Sequence, residues 1–257
     1  MWRYSDHPSF FGPLYPTGSG TKPGVVGLLV TQLSDRTQRP DDMKILLLLA
    51  ALIGICLAAR PCSAPWELTF RASRHDQADT YYRRYYVEYD RPNQRVAMFE
   101  ESFSGGTREI REFLFLHYID TGFEYDFRLK NCTRFRTGPF RPFEVPYNST
   151  YEGSFQVGGP GEDFTVDSWS DRIPTRRENW LGEFSLRNCY PISQFLVDTT
   201  NFNRTSISHF FDTVQGIVNP NDFDVPTECT RLPPDSFAPI SEQALRARAM
   251  YAGTFDL

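Results

Sequence analysis

The sequence predicts a mainly β protein, an antiparallel sandwich or partly closed barrel, on three observations. Apolar and polar residues alternate with period two over several short stretches. Turn residues recur between those stretches. Aromatics are abundant: Phe 22, Tyr 13 and Trp 4 make up 15% of 257 residues, and sheet faces and apolar cavities are where such an excess is absorbed. The 40% hydrophobic and 23% charged residues are ordinary for a folded soluble chain. A net charge of −5 leaves no basic footprint, so no nucleic-acid partner is expected.

The first element along the chain is a leader. Met43 and Lys44 precede ILLLLAALIGICLAA, residues 45–59, a charge-free run of 15 that closes in small residues before Arg60-Pro61. A short basic region, an apolar region and a small-residue cleavage site describe a secretory signal peptide at residues 43–59, too short for a comfortable transmembrane helix. Residues 1–42, rich in Pro, Gly, Ser and Thr, read as a disordered upstream extension outside the mature protein. The mature domain is expected at residues 60–232, with residues 233–257 as a C-terminal tail.

Three hairpins follow. Residues 85–89 and 95–99 are joined across Asp90-Arg91-Pro92-Asn93-Gln94. Residues 113–119, apolar on both faces and so covered on both sides, turn at Asp120-Thr121-Gly122 into Phe123-Glu-Tyr125-Asp-Phe127-Arg-Leu129, which alternates strictly. Residues 154–157 and 164–166 meet across Gly158-Gly159-Pro160-Gly161. The one helical signal, residues 241–252 with a capping serine, sits behind Leu232-Pro233-Pro234-Asp235 and reads as a short tail helix beyond the core.

No catalytic motif stands out: no phosphate loop, no His-Glu-x-x-His pair, no nucleophile elbow and no dinucleotide fingerprint. The expectation is a non-enzyme that requires no cofactor. His117, in an apolar strand, reads as a hydrogen-bonded core histidine. Asn219-Pro-Asn221-Asp222-Phe-Asp224 offers calcium-type oxygen ligands but fails as an EF-hand loop, with Asp224 at the glycine position and Thr230 at the final glutamate position; it reads as a capped turn.

Cys56 lies in the leader, which leaves Cys62, Cys132, Cys189 and Cys229. An even number in an oxidising compartment, without Cys-x-x-Cys spacing, predicts two disulfides in one of three pairings. Three glycan acceptor sequons start at Asn131, Asn148 and Asn203. Asn148 follows Pro146-Tyr147 in loop-like sequence, whereas the sequon of Asn131 has a cysteine as its middle residue.

Pro61-Cys62-Ser-Ala-Pro65, VPYNSTYEGSFQVGGPGEDFTVDSWSDR at residues 145–172, Asn188-Cys189-Tyr190-Pro191 and FFDTVQGIVNPNDFDVPTEC at residues 210–229 together resemble the ependymin-related proteins. The resemblance covers roughly residues 61–230. It implies an open sandwich of two antiparallel sheets, a half-barrel like that of bacterial lipoprotein carriers, with a deep apolar pocket under a small helical layer. It also implies pairing of Cys62 with Cys189 and of Cys132 with Cys229, and glycans at Asn148 and Asn203. The family is associated with lipid binding, calcium binding, cell-matrix adhesion, homodimers and a secreted or lysosomal location. With that shape, Phe99, Phe113, Phe115, Phe123, Tyr125 and Phe127 are the expected pocket wall. The expected function is non-catalytic binding of a fatty-acyl or other lipid by a secreted glycoprotein, the alternative being an extracellular matrix adhesion glycoprotein with calcium as a modulator.

Overall fold

A computed structural model describes Lys44 and residues 60–77, 82–104, 106–171, 178–200 and 205–254. The upstream extension, the rest of the expected leader and Asn203 lie outside the described residues. Contacts divide the chain between Ala58 and Ala59, and the fold below is that of the unit Ala59–Leu257.

Eleven antiparallel strands form one open sheet: β1 (Glu67–Asp76), β2 (Tyr82–Asp90), β3 (Arg95–Ser104), β4 (Thr107–Leu116), β5 (Thr121–Asp126), β6 (Asn131–Phe135), β7 (Thr150–Val157), β8 (Phe164–Asp171), β9 (Glu178–Ser185), β10 (Pro191–Asp198) and β11 (Ser206–Gln215). Their order is β6-β5-β4-β3-β2-β1-β11-β10-β9-β8-β7. Two meanders, β1 to β6 and β7 to β11, are thus fused along the β1–β11 pair, with β6 and β7 as edges. The two sheets implied by the resemblance are one continuous sheet, because β1 has ladder partners on both sides, such as Ala72 with Tyr85 and with Phe210.

Alternation gives the sheet two faces. Leu68, Phe70 and Ala72 of β1, Tyr85, Val87 and Tyr89 of β2, and Phe113 and Phe115 of β4 share the inner core with helix α1 (Glu242–Ala252). Ala97, Leu114, Leu116, Phe123 and Tyr125 form a second core on the outer face, closed by Ile217, Phe223, Val225, Cys229 and Leu232 of a strap that follows β11. Both faces of β4 are covered at its end, Phe113–Leu116, which is why the sequence there is apolar on both sides.

The C-terminal segment is not a loose tail. Helix α1 buries Ala244, Ala247, Arg248, Ala249, Met250 and Tyr251. Its buried face mixes three alanines and Arg248 with Met250 and Tyr251, so hydrophobic periodicity under-reports it. The Ser241 hydroxyl accepts from the Ala244 N–H at 2.9 Å and donates to Glu124 at 2.6 Å, capping the helix and fixing it to β5. The proline-rich approach is held too: Arg134 donates to the Pro233 and Pro234 carbonyls at 2.8 and 2.6 Å, and the Ala238 N–H bonds the Arg134 carbonyl at 2.8 Å.

Two disulfides pin the ends of this arrangement. Cys62 is bonded to Cys189, across 127 residues, and Cys132 to Cys229, across 97. The first fastens the start of the domain to the β9–β10 turn, and the second ties edge strand β6 to the strap.

Candidate functional site

The inner face is largely filled by side chains, leaving a hollow of about 230 Å³ at the C-terminal end of α1 between Phe143, Trp180, Gln194 and Tyr251. Phe115 meets Tyr251 at 5.6 Å and Phe135 at 5.8 Å between ring centroids, and Phe113 lies 6.4 Å from Phe115. Both phenylalanines are fully buried. Beside them, under α1, lies a buried ionic network. Arg74 Nε and Arg83 Nη1 donate to the two oxygens of Asp76 at 2.8 and 2.7 Å, and Arg74 Nη1 donates to the Arg246 carbonyl at 2.7 Å. The Tyr85 hydroxyl donates to Glu100 at 2.7 Å, and burial raises the pKa of that carboxyl against the opposing hydrogen bond and the nearby Arg83 and Arg111. Arg83 and Arg111 are paired with Glu100 at 3.7 and 3.8 Å.

The six aromatics expected on one pocket wall therefore divide between two faces. The register pairs Phe113 with Glu124 and Leu114 with Phe123, so the inward residues of β4 face polar positions of β5. One residue of phase reverses every side chain in a strand. Phe123 and Tyr125 lie under the strap on the outer face. Phe127 falls just past the end of β5, 42% exposed, edge-on to Tyr125 at 4.8 Å.

Phe99 alone of the six reaches an open hollow. That hollow, about 600 Å³ on the outer face, is walled by Tyr82, Tyr86, Phe99, Ile110 and Phe211 and edged by Arg71, Arg84 and Arg108. A second hollow of about 690 Å³ lies on the other side of Phe211, with Phe164, Tyr190 and Ile192 as its apolar wall and Arg187 at its edge. Both volumes suit a small-molecule ligand, for which ~300–1,000 Å³ is usual. Phe211, the shared wall, was not legible as a site residue. The available signal was Phe210-Phe211 in a strand, where alternation must send one of the two rings outward.

Acidic groups collect where the strap crosses β2 and β4. Burial, then Asp222 and Glu228, pushes the Glu112 carboxyl up to about 7, while Glu88 accepts from Tyr86 and from the Asn219 N–H. The Asn219–Asp224 stretch is a 3₁₀ turn, Pro220–Phe223, capped by the Asn219 side chain. Among the described residues, no group of three or more His, Cys, Asp or Glu side chains is placed to hold a metal ion. Asn131 and Asn148 are both exposed, Asn131 at the start of edge strand β6 and Asn148 in the turn before β7.

A family model described as Ependymin matches residues 106–229. Mammalian ependymin-related protein 1 from Rattus norvegicus is 30% identical over 179 residues, 68% of this chain and 79% of the relative. Its Mus musculus counterpart is 29% identical over 182 residues, 70% and 80% of the two chains. Among solved structures, an uncharacterized conserved protein from Thermus thermophilus overlaps 67% of this chain and 89% of its own at 9% identity and TM-score 0.40. A LolA superfamily protein from Nitrosomonas europaea overlaps 65% and 92% at 10% identity and TM-score 0.32. On the sequence match, this chain belongs to the ependymin family.

Proposed function

We propose that the protein is a secreted, non-catalytic glycoprotein that binds a fatty-acyl ligand in the outer hollow walled by Phe99 and Phe211. The observation that carries this reading is an exposed aromatic wall around about 600 Å³ with three arginines at its edge. The rings of this hollow offer an acyl tail an apolar wall, and its rim carries Glu100 and Glu101 beside the arginines. Burying about 12 methylenes at roughly 0.8 kcal/mol each exceeds ordinary association costs without any specific hydrogen bond. Arg71 and Arg108 already pair with Asp212 and Glu101. Arg84 lies 6.0 Å from the centre of the Tyr82 ring and is the group we assign to the ligand's carboxylate or phosphate. Secretion is supported by the leader sequence and by two disulfides, which persist in oxidising compartments.

The experiment is lipid extraction and mass spectrometry of protein purified from its natural source. A lipid recovered at a constant molar ratio supports the carrier reading. Protein that is free of lipid favours the matrix adhesion reading, in which surface and glycans do the work.

A further inference from the structure

We propose that the open edge of β7 binds an extended, basic segment of another protein, taken up as an added strand of the sheet. An edge strand presents a row of backbone N–H and C=O groups without ladder partners, and proteins usually cover or blunt such a row. The two edges of this sheet differ. Along β6 the chain covers its own edge: Cys132 is bonded to Cys229, Arg134 donates to the Pro233 and Pro234 carbonyls, and the Ala238 N–H donates to the Arg134 carbonyl at 2.8 Å. Among the described residues no segment does the same for β7, which pairs with β8 alone.

Beyond its free edge, β7 is open on both faces, for no residue of Thr150–Val157 is buried. A two-stranded ribbon with neither face covered is marginal by itself, and an added strand supplies a second ladder. Main-chain hydrogen bonds then give affinity, and alternate side chains give selectivity.

The register sets what the partner must be. Ser154 lies opposite Asp167 and Gln156 opposite Thr165, each pair joined by side-chain hydrogen bonds, so one face of the ribbon is polar. Phe155 lies opposite Val166 and Val157 opposite Phe164, so the other face is apolar, with Phe155 41% and Phe164 45% exposed. The charge is of one sign: residues 145–171 contain Glu152, Glu162, Asp163, Asp167 and Asp171 and no Lys or Arg. Glu162 and Asp163 are exposed in the turn that joins β7 to β8. A segment that alternates Lys or Arg with apolar residues sets its cations beside Asp167 and the turn, and its apolar side chains beside Phe155 and Val157. The same carboxylates repel the β7 edge of a second copy, so the surface selects by sign of charge.

A bulge bounds the site. The register shifts between Tyr151 and Gly153, with Gly153 at φ +129°, which leaves residues 153–157 as the regular stretch open to pairing. Asn148 lies on the far side of that bulge, before the strand begins. None of these residues walls the hollow assigned to the acyl ligand, and the proposal does not rest on that reading.

The test is a fluorescence anisotropy titration of delipidated, disulfide-intact protein with a labelled, end-capped peptide of about eight residues alternating lysine and valine, paired with amide hydrogen exchange. Saturable binding that protects residues 153–157 is expected. A fully N-methylated peptide keeps the charges but has no backbone donors, and it should bind about ten-fold or more weakly. Phe155→Lys and Glu162→Lys/Asp163→Lys should each weaken the unmodified peptide to a similar degree, with circular dichroism confirming that these exposed substitutions leave the fold intact. Absence of saturation up to about 1 mM peptide, equal binding of the N-methylated peptide, or protection confined to other strands overturns the proposal. So does concentration-dependent protection of β7 without peptide, which assigns the edge to a second copy.

Discussion

His117 Nε2 and the Tyr251 hydroxyl lie 2.7 Å apart across 134 residues of chain. The other ring nitrogen, Nδ1, is 3.0 Å from the Gly138 carbonyl. A carbonyl can only accept, so Nδ1 carries the proton, Nε2 accepts, and the Tyr251 O–H donates. Burial lowers the histidine pKa, which keeps the ring neutral and this arrangement intact. The pair locks α1 to the end of β4 over Phe113 and Phe115.

Tyr251→Phe removes the donor and leaves a buried acceptor unpaired while sparing most of the packing. A loss of about 1–3 kcal/mol is expected, read as a lower urea midpoint with unchanged slope. An unaltered midpoint would mean that α1 is held by its other contacts alone.

Glu112 makes stability depend on pH. Its carboxyl, ordinarily near 4.5, is raised to about 7 by burial and by Asp222 and Glu228 of the strap. Its stabilising contribution is complete below about 4.5 and is lost as pH rises through about 7. His117, lowered from 6.5, acts in the opposite sense, and Glu100 and Glu124 are raised by burial. The difference between wild type and Glu112→Gln isolates the one group. The variant should gain on wild type in urea midpoint between about pH 5 and about pH 7.5, and parallel profiles would remove Glu112 as the cause.

The Cys132–Cys229 bond closes a loop of 97 residues, for which a chain-entropy treatment gives on the order of 4–5 kcal/mol. Replacing both cysteines by serine should free the strap and expose Phe123 and Tyr125. Faster proteolysis in residues 216–232, with α1 still protected, is the expected pattern.

Charge placed at Phe115 and at Phe127 should have different consequences, although sequence alternation makes them equivalent wall residues. Phe115→Asp buries a charge in the inner core and should prevent secretion of folded protein. Phe127→Asp, at an exposed edge, should secrete normally and bind ligand as wild type does. Thermal melting and secretion yield separate the two.

The three hairpins were legible because turn residues and period-two alternation coincide there. Strand β1 was not: after Leu68, Phe70 and Ala72 its inner face continues with Arg74 and Asp76, Asp76 pairing with Arg74, Arg83 and Arg246, so the apolar alternation stops halfway. The helix was visible from its cap, but its place in the core was hidden because three alanines and Arg248 dilute the apolar signal of Met250 and Tyr251 on its interior face. The pocket wall failed at the β4–β5 turn. His117–Ile119 forms a 3₁₀ turn and Asp120 takes φ +49°, and that geometry sets which face each phenylalanine joins. Composition contains no such phase. The disulfide pairing, carried by family resemblance, could not have come from spacing, since Cys62 and Cys189 meet only when the β9–β10 turn reaches the start of the domain.

The most direct measurement of the account is a fluorescence displacement titration of delipidated, disulfide-intact protein with a fatty acid of about 12–16 carbons, comparing wild type with the Phe99→Asp/Phe211→Asp double variant. Saturable displacement by wild type and a loss of about ten-fold or more in the folded variant is the predicted result. Failure of wild type to bind, or equal binding by the variant, contradicts the placement of the ligand in the outer hollow.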